Sequence, residues 1–202
     1  MRQRIITASF ALSTLLIAAP LSAQIKAPSA NPLPASLATH PNWPAAASAD
    51  VDTVDHLMAA LYGVISGPAG QPRDWNRFRS LFLPDGRMGV IRPTTPATAD
   101  KPASTGDVVL FTPDTYVERD TPFFAKNGFY ERSIANRAEE FGNLTSVWST
   151  YESRHDTTDA QPFARGINSL QLVHAQGRYW IASIIWDDER EGLTLPQKYL
   201  SK

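Results

Sequence analysis

FYERSIANRAEEFGNLTSVWSTYESRHDTTDAQPFARGINSLQLVHAQGRYWIASIIWDD, residues 129–188, reads as four long strands. The runs are 129–141, 143–155, 165–175 and 178–188, rich in aromatic and β-branched residues. Gly142-Asn143 and Gln176-Gly177 mark tight hairpins, because such turns need positive φ at one or both central positions. Strands this long twist and curl, so the sheet is expected to wrap whatever precedes it and enclose a pocket.

Three helix-like segments precede it. Asp50, Asp52 and Asp55 suit the positive end of a helix dipole. Val51, Val54, Met58, Leu61 and Ile65 then recur at helical spacing until Ser66-Gly67-Pro68 stops the run. Asp74 is a plausible cap for a second helix reaching about Leu83, with Trp75, Phe78 and Phe82 along one side. Pro84-Asp85-Gly86 reads as a turn, Arg87 to Ile91 as a strand and residues 92–105 as a surface loop. After a short strand over Asp107–Phe111, Thr112-Pro113 resembles a helix start. Pro122 is expected to end or kink that helix.

The N-terminus carries Arg2 and Arg4, an apolar run from Ile5 to Ala19, and small residues at Leu21-Ser22-Ala23. A run of about 15 residues is short for a bilayer span, so residues 1–23 read as an export signal and the protein as periplasmic or secreted. Residues 24–49 read as a Pro/Ala-rich linker, with His40 and Trp43 either docking on the domain or sharing in a mobile tail. The domain is expected over 50–191 and a C-terminal tail over 192–202. The formal charge is −1, and −3 once residues 1–23 with their two arginines are removed. That charge leaves no electrostatic footprint for nucleic acid. The absence of cysteine excludes thiolate catalysis, Cys-ligated metals and disulfides. The four histidines, at 40, 56, 155 and 174, show no ligand spacing, so no metal and no cofactor is expected.

Counting outward from the hairpins sorts the side chains onto two faces. One carries Val147, Tyr151, His155, Asn168, Leu170, Leu172, Tyr179, Ile181, Ile185 and Asp187, and is assigned to the interior. The other carries Trp148, Glu152, Arg154, Arg165, Gln171, Trp180, Ile184 and Trp186. His155 and Asp187 lie two strands apart, roughly 10 Å, which suits flanking a small ligand. They are the catalytic candidates, with His155 as base or donor; the alternative is a loop start and a solvated strand end. Trp75, Phe78, Phe82, Tyr130, Tyr151, Asn168 and Leu170 are the pocket candidates. The tyrosines could donate to a carbonyl oxygen or sit satisfied in the core. Trp148, Trp180, Ile184 and Trp186 would make an exposed apolar patch, which predicts a homodimer.

The order of these features is similar to a known pattern. A helix is followed by Asp74-Trp75-Asn76-Arg77-Phe78 with Leu81-Phe82 and Asp85, and long strands close on Gly177-Arg178-Tyr179-Trp180-Ile181. This resembles the nuclear transport factor 2-like superfamily, which includes the SnoaL-like proteins, over roughly residues 50–190. The resemblance implies an α+β cone, a curved mixed or antiparallel sheet around three helices, often with a hydrophobic pocket and often dimeric. Members include isomerases, dehydratases, cyclases and non-catalytic binders, so fold does not settle function. Its enzymes use an Asp or His inside the cone, and no catalytic motif matches particular positions here. Three readings follow: an exported binder of a small apolar ligand, a cofactor-independent lyase or isomerase, or a dimeric interaction module.

Overall fold

The computed structural model describes residues 36–96 and 104–201. The described residues form one compact unit, and the expected signal at 1–23 lies outside them. Its elements are α1 (Val54–Ile65), α2 (Trp75–Ser80), β1 (Phe82–Thr95), β2 (Ser104–Phe111), α3 (Pro113–Lys126), β3 (Tyr130–Phe141), β4 (Leu144–Arg154), β5 (Ala164–Ala175) and β6 (Arg178–Asp188). The six strands form one mixed sheet in the order β2-β1-β6-β5-β4-β3. Only the β1–β6 pair is parallel; the other pairs are antiparallel. The sheet curves around the helices as an α+β cone. Among the described residues no helix is long and apolar enough to cross a membrane.

Local chemistry sets the helix starts. Thr53, Asp74 and Thr112 each accept a backbone N–H from the third residue onward, satisfying a donor that the first turn leaves open. Pro122 does not end α3, which continues to Lys126. The Thr121 hydroxyl donates to Val117 O at 2.6 Å, and Asn127 N donates to Phe123 O at 2.9 Å. These bonds hold the turn around the missing proline N–H, while Phe124 is anchored in the core.

Both hairpins close as two-residue turns, Phe141 pairing with Leu144 and Ala175 with Arg178. Gly142, Gln176 and Gly177 have φ of 59°, 54° and 74°, the region that tight hairpin turns require. Strands β1 and β2 are longer than their short apolar runs suggested and take in both ends of the expected 92–105 loop. Interstrand pairing extends order beyond the apolar residues. The core is one cluster in which α1, with Leu57, Met58 and Leu61, meets Val147, Leu170, Leu172 and Ile181 of the sheet.

The segment before α1 is docked. Trp43 Nε1 donates to Arg79 O at 3.1 Å and to Phe82 O at 3.0 Å, and Ala46 packs on the core. The expected C-terminal tail folds back over the outer face of the sheet. Tyr199 stacks on Trp148 with ring centroids 5.4 Å apart, and Thr150 Oγ1 donates to Tyr199 O.

Two β-bulges break the hairpin count. On β3 the register runs from Ala135–Thr150 to Ser133–Tyr151, leaving Ile134 as an extra residue. On β6 it runs from Leu172–Ile181 to Gln171–Ser183, leaving Ala182 as an extra residue. One extra residue reverses the facing of every side chain beyond it. Ile184 and Trp186 therefore point into the cone and Ile185 and Asp187 out of it, the reverse of the sequence count. The expected interface patch is corrected accordingly. Trp180 is 5% exposed, with the Arg178 guanidinium over its ring at 3.6 Å. Of the four residues only Trp148 remains both outward and open, at 43% exposure.

Candidate functional site

Inside the cone lies an open cavity of about 290 Å³, near the lower end of the range of roughly 300–1,000 Å³ common for ligand sites. Its walls are apolar: Phe78, Met88, Phe124, Phe129, Ile184 and Trp186 line it, with Tyr116 from α3. Phe123 and Phe163, 39% and 47% exposed, also line it. Polar groups gather on the sheet side, where Glu131, Tyr151, Ser153, Asn168 and Asp188 face the cavity.

The bulges build that polar end. Counted from the Gly142-Asn143 turn without Ile134, Glu131 would oppose Arg154 on the outer side; it instead pairs with Ser153. Counted from Gln176-Gly177 without Ala182, Asp187 would oppose Gly166; Asp188 takes that place. Each bulge thus turns one carboxylate inward.

Glu131 accepts from Ser153 Oγ at 2.9 Å. Its protein surroundings are close, yet it also borders a cleft between α1 and β3, so it keeps partial access to solvent. Burial pushes its pKa up to about 7; hydrogen bonds from Ser153 and Asn168 pull it back, and the Asp188 charge adds to the rise. The Tyr151 hydroxyl donates a short hydrogen bond to Asp188 Oδ1. Burial first, and then that carboxylate, hold the Tyr151 pKa far above the usual phenol value. Asn168 Nδ2 donates to Tyr62 Oη at 3.1 Å, and Tyr62 shares a 2.6 Å hydrogen bond with Ser149. Gly166 makes room for this arrangement, since a Cβ there would lie 2.5 Å from Tyr151 Oη and 2.4 Å from Asp187 O.

Of the sequence-derived pocket candidates, Phe78, Tyr151 and Asn168 line the cavity. Trp75 stands behind the wall, 5.8 Å from Phe78 and 5.7 Å from Phe124 between ring centroids. Phe82 and Leu170 are fully buried core, and Tyr130 opens β3 outside the lining. The catalytic candidates do not meet. His155 is exposed, stacked on Phe163 at 4.1 Å with Nδ1 3.2 Å from Gly128 O. Asp187 is on the outer face and pairs with Arg190. Glu131 and Asp188, which do line the cavity, were missed because alternation counted from a turn cannot register an inserted residue.

Fold and cavity together define a cone-shaped α+β pocket protein. A protein of unknown function with a cystatin-like fold from Nostoc punctiforme PCC 73102 is similar over 67% of this chain and 88% of its own, at 8% identity and a TM-score of 0.50. A nuclear transport factor 2-like protein of unknown function from Shewanella baltica OS155 aligns over 68% of this chain and 98% of its own, at 12% identity and a TM-score of 0.38. The beta subunit of the benzoate 1,2-dioxygenase from Burkholderia mallei ATCC 23344 aligns over 62% and 83%, at 10% identity and a TM-score of 0.39. At these identities the likeness is one of fold alone: the chain has a cystatin-like fold. No family model matches the sequence, and no curated protein matches it.

Proposed function

We propose that the protein binds a small, largely apolar molecule inside the cone, with its polar group toward Glu131 and Asp188. The observation that carries this reading is the open cavity itself, aromatic on its walls, with Glu131, Tyr151, Ser153, Asn168 and Asp188 on its sheet side and the Arg119–Asp120 pair on its α3 side. Such a site rewards burial of apolar surface and orients the ligand through a few hydrogen bonds. A neutral probe, 2-phenylethanol, is expected to bind, with chemical-shift changes in the cavity residues. Phe163→Ala is expected to weaken that binding several-fold. Because Phe163 is 47% exposed, its truncation should change stability by less than about 1 kcal/mol. Unchanged shifts at saturating probe would end this reading.

A second reading is favoured by Glu131. A carboxyl that titrates near neutrality in an apolar cavity is suited to give and take a proton. With the Tyr151 hydroxyl beside it, such a carboxyl supports a cofactor-independent isomerase or lyase. In that case Glu131, not His155 or Asp187, is the acid or base. Loss of any such turnover in Glu131→Gln, with binding of the probe retained, is the expected result; undiminished turnover would remove Glu131 from that role.

A further inference from the structure

The cavity that forms the proposed ligand site carries acids on its sheet side and no cation to match them. Glu131 comes from β3 and Asp188 from β6. The neutral donors around them are already committed. Ser153 donates to Glu131, Tyr151 to Asp188 and Asn168 to Tyr62. From α3, the cavity receives Tyr116, Arg119 and Asp120; from α1 it receives only Leu61 and Ile65. Arg119 is the single cation among the described lining residues. Its guanidinium is held by both Asp120 oxygens, at 2.9 and 2.7 Å, and lies 4.3 Å from the Phe111 ring centroid.

This arrangement discriminates by charge. An anionic ligand would meet two carboxyl groups and one cation, Arg119, whose charge Asp120 already pairs. A ligand bearing an N–H donor would find carboxylate oxygens with lone pairs to spare, since each ionised carboxylate can accept about four hydrogen bonds. Charge-assisted bonds of this kind are the stronger ones. The walls are compatible with this preference, because aromatic side chains such as Trp186 attract a cation. We infer that the ligand is a small apolar amine bound as its cation, its ammonium group met by Glu131 and Asp188 and its apolar body by the aromatic wall. This inference rests on the proposed binding site.

The test compares three probes of one shape on the full chain: 2-phenylethylamine, 2-phenylethanol and phenylacetate. The amine is expected to bind about tenfold or more tightly than the alcohol at about pH 8, as a charged hydrogen bond outweighs a neutral one. Its affinity should fall toward pH 5, because Glu131, with a pKa of about 7, takes up its proton over that range while an alkylamine stays charged. Glu131→Gln should lower amine affinity about tenfold at the higher pH and flatten this dependence, with a smaller loss for the alcohol. Equal affinity for amine and alcohol would overturn the amine inference and leave the pocket standing. Tighter binding of phenylacetate would also overturn it and make Arg119 the determinant. Failure of all three to bind would overturn both the amine and the pocket.

Discussion

Glu131→Gln is expected to make the protein more stable than wild type at about pH 8, by about 2–3 kcal/mol, and to leave it nearly unchanged at about pH 5. The pKa of Glu131 rises from an ordinary 4.5 to about 7 on folding. The folded protein therefore holds this proton more tightly than the unfolded chain does. The group's favourable contribution is fully present below about 4.5 and is lost as pH rises through about 7. Above that range a carboxylate must stay ionised in apolar surroundings, with Asp188 nearby. The cleft between α1 and β3 leaves it open to solvent, which keeps the effect below the roughly 3.4 kcal/mol that the whole rise from 4.5 to about 7 would carry. Glutamine is nearly isosteric and has no charge to bury. Denaturation of both proteins across this range checks the expectation. Parallel pH dependence in the two would show that Glu131 titrates as an ordinary surface carboxyl, and would remove the basis for its role as acid or base.

Arg73→Ala is the second large effect, a loss of about 3 kcal/mol or more, since hydrogen bonds from a charged donor are worth about 1.5–3 kcal/mol each. Arg73 is 7% exposed and is bonded to carbonyl oxygens. Its guanidinium donates to Ile65 O at 2.8 Å, Gly67 O at 2.7 Å and Gln71 O at 2.7 Å. These carbonyls lie at the end of α1 and in the following loop, Gly67 O also accepting from Phe129 N at 3.0 Å, and a cation there suits the helix dipole. The same guanidinium lies 5.0 Å from the ring centroid of Phe124, a cavity wall residue. Arg73→Lys is expected to recover less than half of the loss, because an ammonium cannot copy the planar fork. Chemical denaturation at neutral pH measures both variants. A loss under about 1 kcal/mol for the alanine variant would show that water replaces the side chain at these carbonyls.

Much of the architecture was legible in the chain. Gly142-Asn143 and Gln176-Gly177 determined two turns, because few residues tolerate positive φ. Asp74 and Thr112 determined helix starts, because their side chains supply a local acceptor. Long runs of aromatic and β-branched residues determined the strands, and the resemblance they carry with the helices before them implied the cone. These are local effects, and sequence carries local effects well.

The site was decided elsewhere. The extra residues Ile134 and Ala182 reverse the facing of the far ends of β3 and β6. That reversal brings Glu131 and Asp188 into the cavity, sends Asp187 out to Arg190, and turns Ile184 and Trp186 from a supposed interface into cavity wall. Nothing in the alternation of Tyr179 to Asp188 marks the slip, since a bulge follows from how a curved sheet fits the helices beneath it. A strand's period is two, so one residue absorbed by curvature exchanges inside for outside. The sequence by itself therefore determined which elements form, and only the tertiary structure decided which carboxylates line the cavity.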